Sequence, residues 1–525
     1  FGVPMKRLQG KTHLKNKVSL NIMKISGYTG CEKMRASLPK EVWEFFRQGA
    51  GRSLLIKGSP GSGKTTLALQ AIEELIDVDH SFYISTRISD DALFSQFKWL
   101  KEKEWRDRLI DTTKDFLREI VPEKRDLPDR KVVKAREILN TLGNVEKKGV
   151  EYRTNLLRLS QEVEVPEIEN LYDRIQSMLP HRCMVVIDSI DGLGEKYRVP
   201  YLKLVEVLQK DLVEQTDVRL IIIVESEGPT PVDYLVDGII SLSMERFGMG
   251  YIREMGIKKM RGVKIEKPYY LFTLLDGRFY VLGESKRKEK MHRWTPVKHT
   301  VGHYSTGMNA LDGFFEEIMP GEIVFIEGEP TVPEESVNPF ILSPVSNFLH
   351  QGHGVMLIPP VSMTLKHLAP VIKLAGENIE HLRIFLKAHE ISSEKHIVRL
   401  PSKNSMEDYQ IWVDNYNELL KNSKKPFLLA VGLDTQESIY RREELMEVLM
   451  VLVEHAREKQ DILFLCTKLN GKLNIPASAI CKSHVRLSER NGLTFITGIK
   501  RRTGTYWVRR IPREYVDDVE FVPIL

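Results

Sequence analysis

Ser53-Leu-Leu-Ile-Lys-Gly58-Ser-Pro-Gly-Ser-Gly-Lys64-Thr65-Thr66 decides the fold. Ser53 to Ile56 reads as a short buried strand, and after the loop Leu67, Ala68, Ala71, Ile72 and Leu75 recur at helical spacing. Between them, Gly58 to Thr65 satisfies G-x-x-x-x-G-K-[ST] in full. Gly58, Gly61 and Gly63 let the backbone wrap so that its N–H groups point inward at an anion, and the helix N-terminus adds a favourable field. Ser59, Pro60, Ser62 and Thr66 complete a cradle for ATP. Lys64 is placed to reach the β- and γ-phosphates, and the Thr65 hydroxyl to ligate Mg2+.

A partner carboxylate is expected at the end of another apolar strand. Met184-Val-Val-Ile-Asp188-Ser189 supplies it, so Asp188 is read as the second magnesium-holding residue. A further strand, Leu220 to Val224, ends in Glu225-Ser226, a position for a polar group that senses the γ-phosphate.

The chain repeats itself. Phe45-Phe46, Gly51, Leu54 to Ile56 and Gly58 have counterparts in Phe314-Phe315, Gly321, Val324 to Ile326 and Gly328. Phe82 to Ser89 is echoed by Val355 to Ser362, the strand ending in Asp188 by Phe427 to Asp434, and Ile257 to Gly262 by Ile499 to Gly504. In the second copy Pro333, Glu334 and Glu335 stand where the first has Gly63, Lys64 and Thr65. Each change opposes phosphate binding: proline removes an inward N–H, and the glutamates replace a cation and a hydroxyl with negative charge.

These features predict an α/β chain of two tandem domains, each a mostly parallel sheet flanked by helices. Residues 1–285 are expected to form an ATP-binding domain with a helical insertion over about 101–178. A charged linker follows at 286–299, then a degenerate domain at 300–525. Composition leaves the partner open, since 77 basic side chains face 72 acidic ones for a net charge of +5. The four cysteines form no Cys-x-x-Cys pair, which fits a reducing, cytoplasmic setting. No apolar run reaches the length of a membrane span. Phe1 to Pro4 precede Met5 and are left out of the fold argument.

The residues resemble the RecA-like ATPases of the KaiC type, and more closely the archaeal gas-vesicle regulator GvpD group. The resemblance rests on the P-loop with Ser37-Leu-Pro-Lys-Glu-Val42 before it, on Tyr83-Ile-Ser-Thr-Arg87, on Val186-Ile-Asp188-Ser189, and on Ser305-Thr-Gly-Met-Asn-Ala-Leu-Asp312. It implies a ring or dimer in which a Lys-x-Arg pair reaches the nucleotide of the neighbouring subunit, and that pair matches Lys259 and Arg261. It also exposes a departure. Well-hydrolysing members carry a glutamate pair after the second core strand, where this chain has Ser85, Thr86 and Arg87. Asp90, Asp91 and Glu225 are the candidates to replace the missing base, and slow hydrolysis is expected.

Three functions compete. The leading one is a nucleotide-dependent regulator that acts through assembly and a protein partner. The second is a recombination or repair accessory ATPase, suggested by Lys500-Arg-Arg502 and Arg509-Arg510 with Tyr506-Trp507 between them; nucleic acid is the less favoured partner. The third is a structural ring component glued by bound ATP.

Overall fold

The computed structural model describes residues 38–48, 51–75, 80–86, 88–102, 109–111, 165–179, 181–283, 291–315, 317–387, 394–402, 404–468 and 470–525. Most of the insertion expected over about 101–178 lies outside the described residues, as do Cys31, Arg87 and residues 286–290 of the charged linker. The chain divides into two compact units, one built from Arg35–Arg246 and Tyr251–Leu282, the other from Gly283–Pro523.

In the first unit the strands are β1 (Arg52–Gly58), β2 (His80–Ser85), β3 (Leu109–Asp111), β4 (Cys183–Asp188), β5 (Arg219–Val224), β6 (Gly238–Phe247), β7 (Gly250–Met260), β8 (Tyr269–Thr273) and β9 (Tyr280–Val281). They lie in the order β3-β2-β4-β5-β1-β6-β7-β8-β9. From β3 to β6 every pairing is parallel, while β7–β8 and β8–β9 are antiparallel. The central strands are uninterrupted apolar runs because both faces are covered. Leu54 and Ile56 pack in one core with Leu67 and Ala68 of α2 (Lys64–Glu74) and with Phe45 and Phe46 of α1 (Lys40–Arg47). Leu55 points the other way, into a core with Ile168 and Leu171 of α3 (Pro166–Met178).

The second unit contains β10 (Ile323–Gly328), β11 (His353–Ile358), β12 (Leu382–Lys387), β13 (Ile397–Leu400), β14 (Lys424–Gly432), β15 (Ile462–Lys468), β16 (Ser483–Arg490), β17 (Leu493–Lys500), β18 (Thr505–Ile511) and β19 (Asp518–Pro523). Their order, β13-β12-β11-β14-β15-β10-β16-β17-β18-β19, repeats that of the first unit with β13 added at one edge. Phe314 and Phe315 of α4 (Asn309–Phe315) are buried against this sheet as Phe45 and Phe46 are in the first. The chain is therefore two RecA-like α/β domains in tandem.

Strand register corrects two of the matches read from sequence. Leu55 pairs with Ile222 and Ile222 with Ile187; Phe325 pairs with Leu465 and Leu465 with Val431. With Gly58 and Gly328 equivalent, the residue in the place of Asp188 is Gly432. Asp434 lies two residues further on, inside α5 (Leu433–Glu437). Likewise Ile84 pairs with Ile187 and Ile358 with Val431, so Pro359 takes the place of Ser85, one position away from the match in the sequence repeat. A strand buried on both faces has no alternation to fix its register, which is why the sequence slips here.

Candidate nucleotide-binding site

β1 ends at the centre of its sheet, between β5 and β6, and the P-loop leaves from that point. Gly58 is required by space: a Cβ there would lie 2.2 Å from the Leu242 carbonyl oxygen on β6. Gly61 and Gly63 are required by conformation, with φ of 78° and 103°. Gly63 turns the chain directly into α2, so the first N–H groups of that helix face the loop. Ser62 is fully buried, and its hydroxyl has no hydrogen-bond partner among the described residues. A buried orphan donor inside a ring of backbone N–H groups fits an anion-binding cradle.

The Lys64 ammonium lies inside this loop, donating to Gly58 O at 2.8 Å, Ser59 O at 2.8 Å and Glu225 Oε2 at 2.9 Å. The Thr65 hydroxyl donates to Asp188 Oδ2 at 2.6 Å, and the Tyr83 hydroxyl donates to the same oxygen at 2.6 Å. β4 is not a neighbour of β1; Asp188 reaches Thr65 across the end of β5. Burial raises the Asp188 carboxyl above its usual range and the nearby Glu225 charge adds to this, against the hydrogen bonds from Thr65 and Tyr83. Burial, followed by the Asp188 charge, pushes the Tyr83 hydroxyl far up, so it remains a donor at neutral pH. A hydroxyl beside a buried carboxylate is the hard-oxygen donor set that suits Mg2+, and the cation would draw Asp188 back to its ionised form.

Residues 42–257 match the family model described as "GvpD gas vesicle protein, P-loop domain". The chain carries a GvpD-type P-loop domain. Protein GvpD1 of Halobacterium salinarum is 25% identical over 336 residues, 61% of this chain and 56% of its own length. Protein GvpD2 of the same organism is 23% identical over 483 residues, 86% of this chain and 89% of its own. Such a domain binds nucleotide, usually with Mg2+.

At the exit of β2 in the GvpD-type domain, the hydroxyls that replace the glutamate pair are tied to backbone. Ser85 Oγ donates to Ile88 O at 2.6 Å. Thr86 Oγ1 accepts from Ser189 N at 2.9 Å, and Thr86 N donates to Asp188 O at 2.8 Å. These contacts clamp β2 to the end of β4 and set the position of Asp188. Among the described residues, the carboxylate that meets Lys64 is Glu225, one position past β5. Asp91 is exposed on the segment after β2, and the Asp90 side chain lies outside what is described. Sequence reading missed the Tyr83–Asp188 contact; its signal was a phenol between two apolar residues, Phe82 and Ile84, of a buried strand.

Lys259 and Arg261 are not brought to the P-loop of their own chain. Lys259 Nζ donates to Asp233 O at 3.0 Å and Val236 O at 2.6 Å, and Arg261 pairs with Asp237 at 3.0 Å. Asp237 also accepts from Ser53 N at 3.2 Å, which puts all three at the start of β1, the opposite end of the sheet from the loop. Burial lowers the Lys259 ammonium, with the neighbouring Arg261 adding to the effect. The Arg261 side chain is 55% exposed. In the second unit Lys500 makes the equivalent contact, donating to Cys481 O at 2.8 Å. Gly238 pairs with Leu54 and Ser483 with Val324, so Cys481 takes the place of Val236 and Lys500, not Arg501, that of Lys259. The lysine clasp thus occurs in both units, with or without a P-loop.

The second unit has lost the cradle. Pro333 has φ −61°, where Gly63 has its left-handed turn, and it begins a single helical turn, α6 (Glu334–Val337), before α7 (Pro339–His350). Glu334 and Glu335 are exposed, whereas Lys64 is buried. A side chain cannot be restored at Gly432, because its Cβ would lie 2.6 Å from the backbone of Pro360. Glu327, in the register position of Lys57, is buried; it accepts from Asn474 Nδ2 at 3.0 Å and Arg486 Nε at 2.7 Å and lies 3.0 Å from His484.

The basic segment near the C-terminus is largely neutralised within its own unit. Arg501 pairs with Glu322 at 3.3 Å, Arg509 with Glu520 at 3.1 Å and Arg510 with Asp517 at 3.2 Å. Trp507 is buried, and Tyr506 packs on Phe314 and Phe521. No helix among the described residues is long and apolar enough to cross a membrane.

Proposed function

We propose that this protein is a regulatory switch: the first domain binds Mg-ATP and hydrolyses it slowly, and its nucleotide state controls assembly or the capture of a protein partner. The carrying observation is the contrast between the two β1-type strand ends. One has a cradle with Lys64 turned into the loop and Thr65 on Asp188; the other has proline and glutamates and no room for the carboxylate. A chain that keeps the second fold while discarding its site keeps it for its surfaces. Thr65 and Asp188 hold the magnesium ion, with Tyr83 orienting the carboxylate. The GvpD relatives support the regulatory reading by family analogy.

Arg261 is assigned as the cation supplied to a neighbouring subunit, and Lys259 as the clasp that holds its strand. Mixing an Arg261→Ala chain with a Lys64→Ala chain checks this. If the arginine acts in trans, the mixture hydrolyses ATP at several times the sum of the two alone; strict additivity removes the assignment.

The repair reading survives only if the basic segment engages a nucleic-acid strand, and Arg501, Arg509 and Arg510 are already paired with acids. ATP turnover with and without single-stranded DNA separates the two. The switch predicts slow turnover, on the order of 10⁻³ to 10⁻² per second for a P-loop site short of a catalytic group, unchanged by DNA. A several-fold rise with DNA that disappears at raised salt would replace the switch with the repair reading.

A further inference from the structure

An ammonium group has three protons to donate, and the folded chain gives Lys64 three acceptors: Gly58 O, Ser59 O and Glu225 Oε2. A phosphate oxygen that bonds to Lys64 must therefore displace one of them. Two are carbonyls of the P-loop itself. The third is a side chain from the end of β5, 161 residues away in sequence, and it can give way by a change of side-chain torsion where the two carbonyls would need the loop backbone to move. Its displacement leaves a carboxylate beside the cation that meets the terminal phosphate.

We propose that Glu225 is the general base of this ATPase, parked on Lys64 until phosphate takes its place. The assignment rests on the reading of the P-loop as an ATP site. Among the described residues, the neighbouring groups leave little alternative. The Ser85 and Thr86 hydroxyls are tied to backbone and do not accept protons at neutral pH. Asp188 is committed to Thr65 and Tyr83. The Glu225 side chain is 18% exposed, enough for water to reach it. In the reaction a water oxygen bonds to the γ-phosphorus, the bond from that phosphorus to the bridging oxygen breaks, and ADP leaves with its electron pair. The proton of the water passes to Glu225 and from there to solvent.

One carboxylate then does two opposed things. Before phosphate arrives it competes for Lys64 and repels the incoming anion; afterwards it activates water. Glu225→Gln keeps the shape and a hydrogen-bond acceptor but loses the charge and the basicity. The full chain is compared with this variant by titration with a fluorescent ATP analogue in Mg2+, and by single-turnover cleavage of ATP. The expected result is affinity raised about threefold or more and cleavage slowed by at least about a hundredfold. A side chain that only supported the loop would move both quantities downward together. Cleavage within threefold of wild type, or affinity that falls, overturns the proposal. Glu225→Asp keeps the charge on a shorter arm and should retain more cleavage than Glu225→Gln; equal loss in both overturns it as well. Lys64→Ala separates the layers: if that variant binds ATP as the wild type does, the ATP-site reading itself fails, whereas lost binding there with unaltered cleavage in Glu225→Gln removes only the base.

Discussion

Lys64→Ala is expected to lower Mg-ATP affinity by at least about a hundredfold with the fold intact. A charge-assisted hydrogen bond to phosphate contributes about 1.5–3 kcal/mol, and a hundredfold is about 2.8 kcal/mol, so losing that one bond accounts for most of the figure. A second effect has the same sign. Lys64 is buried and ion-paired to Glu225 at 2.9 Å. Removing it leaves the carboxylate facing the loop without that cation, and the site then repels phosphate. Calorimetric titration with ATP reads the loss, and a thermal melt confirms that the chain remains folded. Affinity within a few-fold of wild type would mean that the loop is not the nucleotide site.

Glu327→Ala is expected to cost about 3–5 kcal/mol of stability, the range for breaking a buried ion pair from one side. Glu327 is almost fully buried, and its loss strands His484, Arg486 and Asn474. Burial pushes its carboxyl up, but His484, Asn474 and Arg486 overcome this and hold it at about 2, below the ordinary 4.5. A carboxylate depressed in this way stabilises the fold above its unfolded value and loses that contribution as the pH falls through its folded one. The stability difference between wild type and variant should therefore be full at neutral pH and shrink between about pH 4.5 and 2. Denaturant unfolding at a series of pH values checks it. A difference that does not change with pH would assign the cost to packing alone.

The P-loop was legible because its information is local: glycines at fixed offsets, a strand before and a helix after. Asp188 was legible as a polar residue ending an apolar strand, although its route to Thr65 passes over β5 and not beside β1. What stayed hidden depends on chain segments far apart in sequence. Tyr83 meets Asp188 across 105 residues and Lys64 meets Glu225 across 161. Asp434 and Lys259 were matched to the wrong partners for a related reason. Buried parallel strands and short basic turns look alike when shifted by one or two positions, and only hydrogen-bond register separates them. The added edge strand β13 has no counterpart among the described residues of the first copy.

The central claim is that one half of this chain binds nucleotide and the other has given it up. Counting bound Mg-ATP per chain by calorimetric titration tests it most directly. The account predicts one site in the wild type and none in Lys64→Ala at the same ligand concentrations. Two sites per chain, or one that persists when Lys64 is removed, would contradict it.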